Sequence, residues 1–387
     1  MSFKPLFSKS LAAAPDRLHF AAHSHHLWPD ASFEGQAQCW EDAARLADAK
    51  WDRVMGDVWP KAQAHVAAEL GSGDPSAIVF ASNTHDFLLR LAASCPRRSD
   101  GPLRVLMSDG EFHSARRQMA RWVESGDIEL TKVVAEPFDD FSDRFLDSAR
   151  DGAFDLIFVS QILFNSGRRF DRVAELAELA DPAGPWVVID SYHAFMAIET
   201  PVDRAIAARA FVLGGGYKYA MAGEGMAFMH CPPLFGPRPP LTGWFAEFDD
   251  LTLPPGMVGY STDAMRFMGA TFDPSALYRF NSIQRMLKEN GLSTARISAK
   301  VTALQSRLLD AVGASALSGA ELLNPLDGQP HARFLAFRSP NAQRWSGELM
   351  ATGCVTDVRG DVLRIGFGLY HDEEDVDALA VLAARLA

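Results

Sequence analysis

The chain has no run of about 18 or more apolar residues, so nothing in it reads as a membrane-crossing helix. Its first stretch, Met1 to Arg17, lacks a basic start followed by an apolar core and a small-residue cleavage site. A secretory signal is therefore not expected there. Cysteine is scarce: Cys39, Cys95, Cys231 and Cys354 lie far apart and form no CxxC pair. That spacing argues against a disulfide framework or a zinc site, no metal site is expected, and a reducing cytoplasm suits these thiols. Clustered Lys and Arg are missing too, and the formal net charge is −12. A nucleic-acid face needs clustered cations to neutralise phosphates, so no nucleic-acid partner is expected, and the partner is a small molecule. What is present is an ordinary globular balance, 48% hydrophobic and 22% charged over 387 residues, enough for two or three domains.

From about residue 76, short apolar blocks alternate with longer amphipathic stretches. Strands are predicted at Ile78–Ala81, Arg104–Met107, Leu130–Ala135, Asp155–Ser160, Trp186–Asp190, Ala210–Leu213 and Gly225–Cys231. Blocks such as LIFVS and WVVID are apolar throughout, the mark of strands covered on both faces. Helices are predicted between them at His85–Ser94, Ser114–Glu124 and Arg172–Ala180. The alternation gives an α/β fold around a mostly parallel sheet. After Cys231, the stretch CPPLFGPRPPLTGW breaks any regular element. Beyond it a helical region is expected over Leu277–Val312, apolar segments at Phe334–Phe337 and Val362–Gly366, and a last helix over Asp372–Leu386, opening on acids that favour its N-terminus. A large α/β domain followed by a smaller α+β domain results.

Six positions stand out at the ends of predicted strands or within them. Lys218, in AFVLGGGYKYAMAGEG, follows an apolar strand and three glycines. An unpaired buried ammonium is costly, so such a lysine is either functional or snorkels to solvent. Asp190 ends WVVID, where a lone carboxylate would need a cation. His193 follows in DSYH, to stack, to hydrogen-bond a ligand, or to be satisfied by local backbone. Ser82, Asn83 and Thr84 start a helix and offer hydroxyl and N–H donors to an anion, or simple capping. Phe112 offers a ring face, and core packing is its competing reading. Arg364 sits inside the apolar run VLRIGFGLY, where it would meet either a ligand carboxylate or an internal acid. Lysine for an imine, acid for a pyridine nitrogen, phosphate cup, ring face and carboxylate cation are together the needs of pyridoxal 5'-phosphate.

In this order the residues resemble the fold-type-I pyridoxal-phosphate enzymes of the class V aminotransferase superfamily, and within it kynureninase. The resemblance runs from about Trp51 to the C-terminus. Family D-x-x-H matches Asp190 and His193, and S-Y-K-Y matches Gly216-Tyr217-Lys218-Tyr219. L-x-G-W matches Leu241-Thr242-Gly243-Trp244, and C-G-T matches Met268-Gly269-Ala270-Thr271 loosely. R-F-G-F-x-P-L-Y matches Arg364 to Tyr370 with the proline absent.

The resemblance implies a fold-type-I transferase architecture, with a seven-stranded large domain at 51–250, a small α+β domain at 251–387, and residues 1–50 packing with the latter. It also implies that Lys218 carries the cofactor and that Asp190 pairs with the pyridine nitrogen. Phe112 would stack on the ring. Ser82, Asn83, Thr84, Tyr217 and Trp244 would bind phosphate, with Thr271 reaching in from a second subunit of a homodimer. Arg364 would hold the α-carboxylate of an amino-acid substrate, and Tyr217 would double as an acid–base group. The implied reaction is hydrolysis of the Cβ–Cγ bond of L-kynurenine to anthranilate and alanine. One segment departs from the family: where G-N-S-L-G is usual, this chain has Ala22-His23-Ser24-His25-His26-Leu27. Its histidines point to a reshaped substrate pocket. Other class V chemistries (aminotransferase, epimerase, or a desulfurase using Cys354) and a non-catalytic binding protein are the alternatives.

Overall fold

The apolar blocks do become a buried central layer. The computed structural model describes residues 2–98, 100–248, 252–313 and 315–386. Its strands are β1 (Leu18–His19), β2 (Ile78–Ala81), β3 (Leu103–Ser108), β4 (Ile128–Val133), β5 (Leu156–Ser160), β6 (Trp186–Asp190), β7 (Phe211–Gly215), β8 (Ala227–His230), β9 (Glu321–Leu322), β10 (Phe334–Arg338), β11 (Cys354–Val355), β12 (Asp357–Arg359) and β13 (Val362–Gly366). Seven of them form one sheet in the order β2-β8-β7-β6-β5-β3-β4. The pairs from β7 through β6, β5 and β3 to β4 are parallel, while β8 runs antiparallel to both β2 and β7. Every residue of β5 is buried, as are Trp186 to Ile189 of β6, because helices cover both faces. All seven predicted strands are here, with ends shifted by a residue or two.

The helix Thr84–Ser94 buries Phe87, Leu88 and Leu91 on the sheet, and His113–Ser125 buries Ala115 and Met119. Their N-termini therefore lie just past β2 and β3. The helical region expected over Leu277–Val312 is two helices instead, Ser275–Glu289 and Thr294–Ala311. Asn290 ends the first, and Gly291 turns the chain at φ +61°, a left-handed conformation that a continuous helix cannot absorb.

The C-terminal part carries a second sheet, β12-β13-β10-β9, antiparallel throughout. The N-terminal segment is stitched to it. β1 pairs in parallel with β11, Ala21 bridges Gly366, and the Gly366 N–H donates to the Phe20 carbonyl at 2.6 Å. Further on, the helix Asp30–Leu46 lies along Ser275–Glu289, where the Tyr278 hydroxyl donates to Asp42 at 3.1 Å. The expected boundary between residues 250 and 251 lies outside the described residues. Among the described residues no helix is long and apolar enough to cross a membrane.

Candidate active site

Carboxyl ends of parallel strands point the same way, so the loops after β2, β3, β5, β6 and β7 meet at one edge of the sheet. There they enclose a cavity of about 760 Å³. Eight of the residues singled out from the sequence line it: Ser82, Asn83, Thr84, Phe112, Asp190, His193, Tyr217 and Lys218. Among the described residues no group of His, Cys, Asp and Glu is arranged to hold a metal ion.

Lys218 is 5% exposed, and its Nζ lies 2.6 Å from Nε2 of His193. The amine is ringed by aromatic faces, at 4.8 Å from the Tyr192 centroid and 5.8 Å from those of Phe112 and Tyr217. Burial pushes the Lys218 amine down to about 7, against the upward pull of the Asp190 carboxylate, while Arg364 adds to the fall. Burial raises the Asp190 carboxyl, and the Tyr192 N–H (donating at 2.9 Å) and Lys218 oppose that rise. His193 is held well below its usual range by burial and by Lys218, so its ring is neutral; its Nδ1 is buried and makes no hydrogen bond. An amine poised near neutrality, a buried carboxyl and a neutral imidazole against the amine line the cavity together.

At the helix start, the Asn83 side chain caps the helix by accepting from the Asp86 N–H at 3.1 Å. Its neighbours Ser82 and Thr84 line the cavity, so the capped helix N-terminus still turns donors toward it. Phe112 is 39% exposed and lines the cavity rather than the core. Burial and the Glu224 carboxylate raise the Tyr217 hydroxyl, which keeps it a neutral proton donor.

Arg364 is not part of the cavity lining. It sits 3% exposed behind Phe164, donating from Nη1 to the Phe164 carbonyl at 2.5 Å and from Nη2 to Asp357. Asp357 faces it directly across β12 and β13. Within the histidine segment, only His23 approaches this pair: it is fully buried, stacks on Phe334 at 4.6 Å, and brings Nε2 to 3.7 Å from Asp357. Gly366 makes room for it, since a Cβ there would fall 2.0 Å from His23 Nδ1. Ser24 is partly exposed; His25 is 53% exposed and faces Glu224 at 3.5 Å. His26 turns the other way, its Nδ1–H on the Leu27 carbonyl at 2.7 Å and its ring edge-on to Tyr370. Of the four, His23 thus meets the arginine pair, and His25 meets Glu224 and, at 6.2 Å between ring centroids, Tyr217, both on the cavity wall. Trp244 and Thr271 also lie away from the cavity, partly exposed or exposed, and meet each other at 3.3 Å.

Sequence reading overlooked three residues. Tyr192, inside DSYH, gives Lys218 its nearest ring. Asp357 was invisible without the β12–β13 register. Glu111, beside Phe112, is fully buried; Ser108 and Ser160 hydroxyls and the Ser160 N–H donate to it, and burial raises it to about 7 against those bonds.

Residues 297–382 match the family described as "Kynureninase C-terminal domain", a span that includes Asp357 and Arg364. Over 333 residues the chain is 24% identical to the isopenicillin N epimerase of Streptomyces clavuligerus, covering 81% of each. Its fold is similar to that of the cysteine desulfurase of Thermococcus onnurineus NA1, with a TM-score of 0.79 at 16% identity over 98% of this chain and 97% of that one. It is also similar to the cystine C-S lyase C-DES, at TM-score 0.77 and 14% identity over 97% and 100%.

Proposed function

We propose that this chain, a class V member of the fold-type-I superfamily, is a pyridoxal-phosphate-dependent enzyme acting on an amino acid, and that its reaction is the kynureninase-type hydrolysis of L-kynurenine to anthranilate and alanine. The observation that carries the reading is the buried Lys218 amine at 2.6 Å from His193, in a cavity lined also by Asp190 and by the helix start at Ser82 to Thr84. The residues fit the cofactor by what they lack. Asp190 has only one backbone donor and Lys218, His193 Nδ1 is buried without a partner, and the loop at Ser82 to Thr84 offers donors for an anion.

When bound, the cofactor supplies an electron sink for the bonds to Cα. Around it, Lys218 takes a proton from Cα and returns it, a task suited to an amine that titrates near neutrality. Asp190 would hold the ring nitrogen, Phe112 would pack on the ring, and the N-terminal N–H groups of the helix Thr84–Ser94 would hold the phosphate. Tyr217, held neutral, would donate a proton to Cβ as water adds to the γ-carbonyl and the Cβ–Cγ electron pair moves onto Cβ. Trp244 and Thr271 serve the neighbouring cavity of a homodimer with shared sites, consistent with their exposed pairing.

A second reading, epimerisation at Cα, is favoured by the epimerase match and needs the same lysine. The desulfurase reading is weakened by Cys354. It is fully buried in β11 against β1, and burial pushes its thiol up to about 12, whereas a nucleophilic cysteine needs an exposed, low-pKa thiolate. The experiment is incubation of the cofactor-loaded protein with L-kynurenine while anthranilate fluorescence is followed. Repeated turnover supports the hydrolase; a spectral response to amino acids without anthranilate moves the assignment to the epimerase branch.

A further inference from the structure

Two arginines share one carboxylate beside the cavity. Asp357 Oδ1 pairs with Arg359 at 2.6 Å, and Oδ2 receives Nη2 of Arg364. Arg359 reaches in from a half-exposed position, while Asp357 and Arg364 are 8% and 3% exposed. His23 closes the far side of the same carboxylate, and burial together with Arg364 keeps its ring uncharged. The cluster therefore holds two cations and one anion, a net charge of +1. Arg359 carries its charge half in solvent, so the buried part, Asp357 with Arg364, is a neutral pair. A donor nonetheless remains free: Arg364 Nε is buried without a hydrogen bond, and the guanidinium lies 5.7 Å from the ring of Phe164, which lines the cavity.

We propose that Asp357 is a positioning residue: clamped by Arg359, it holds the Arg364 guanidinium through Nη2 so that the free Nε–H side receives the α-carboxylate of the substrate. The inference rests on the proposed cofactor chemistry and adds to it the device that aims the arginine. Fork-shaped donors gain most when their plane is fixed before the ligand arrives. Asp357 does this through a cross-strand register, β12 against β13, rather than through a mobile loop. Phe164 and Phe334 flank the guanidinium at 5.7 and 5.8 Å and limit its swing.

The test uses cofactor-loaded protein and two probes, L-alanine and L-alaninamide, with binding read from the cofactor spectrum. Asp357→Asn keeps the shape and removes the charge. It is expected to weaken L-alanine binding about tenfold or more and to change L-alaninamide binding less than about twofold, as for loss of a charge-assisted contact. In an Arg364→Gln background the same substitution should have no further effect on L-alanine. The proposal is overturned if Asp357→Asn binds L-alanine like the wild type, if both probes weaken equally, or if the loss persists in the Arg364→Gln background. A yellow wild type that binds neither probe also overturns it. Should Asp357→Asn fail to fold, Arg359→Gln releases the clamp from the half-exposed side and is expected to weaken L-alanine alone by a few-fold; no selective change there overturns the proposal. A chain that never turns yellow defeats the cofactor reading itself, an outcome distinct from a yellow protein indifferent to these substitutions.

Discussion

An ordinary lysine titrates at 10.5, and burial brings Lys218 to about 7. At neutral pH about half of its amine is then free base, where an ordinary lysine would offer roughly one part in 3,000. Only the free base attacks a carbonyl, so this difference of about three orders of magnitude should be visible in the capture of pyridoxal phosphate by cofactor-free protein. Rapid mixing from about pH 6 to about pH 10 should give a rate that rises to a midpoint near 7 and then levels off. Asp190→Asn removes the group that pulls the amine upward, and the midpoint should fall further. The same shift bears on stability. Between about 7 and 10.5 the unfolded chain holds a proton that the folded chain does not, so stability rises with pH across that window. At pH 7 the cost approaches about 5 kcal/mol, the 3.5-unit shift at about 1.4 kcal/mol each. Lys218→Met escapes it but leaves Asp190 without a cation, so the cofactor-free variant should gain about 1–3 kcal/mol in denaturant unfolding. A capture rate still climbing about tenfold per pH unit beyond pH 9, together with no gain in stability for Lys218→Met, would refute the reasoning.

Other outcomes follow from the buried histidines and glycines. His19 and His26 are pushed by burial to about 4 and about 3, so below 6.5 the unfolded chain binds protons that the folded one refuses. The histidines' share of stability should be intact above pH 6.5 and be lost steadily toward pH 4, read as denaturant midpoints; a flat profile below 6.5 contradicts the burial argument. Gly366→Ala drives a Cβ into His23 and should cost about 2 kcal/mol or more while weakening amino-acid binding, since the His23 ring must leave the Asp357 side. Cys354→Ala should leave turnover unchanged, apart from a modest cavity penalty in melting; a dead variant would restore the desulfurase reading.

The large sheet was legible because its strands are contiguous apolar blocks, and burial on both faces leaves LIFVS and WVVID few other conformations. The residues around the cavity were legible because topology puts strand ends together: Ser82, Phe112, Asp190 and Lys218 each stand just past an apolar block. The environment of Arg364 was not legible in the same way. Its partner depends on which residue of β12 faces it, and a one-residue slip would have aimed Asp357 elsewhere. Local spacing could not separate His23 from His26 either, because the N-terminal segment crosses to the C-terminal sheet through a single bridge at Ala21 before turning. Trp244 and Thr271 show the same limit, since their meeting across 27 residues could not be read from local spacing.

The central claim is that Lys218 carries the cofactor. Its most direct test is reduction of the yellow protein with borohydride, followed by peptide mass analysis. The account predicts a reduced pyridoxyl-phosphate label on Lys218, and no yellow band or label in Lys218→Ala. A label on another lysine, or a protein that takes up no cofactor at all, would contradict it.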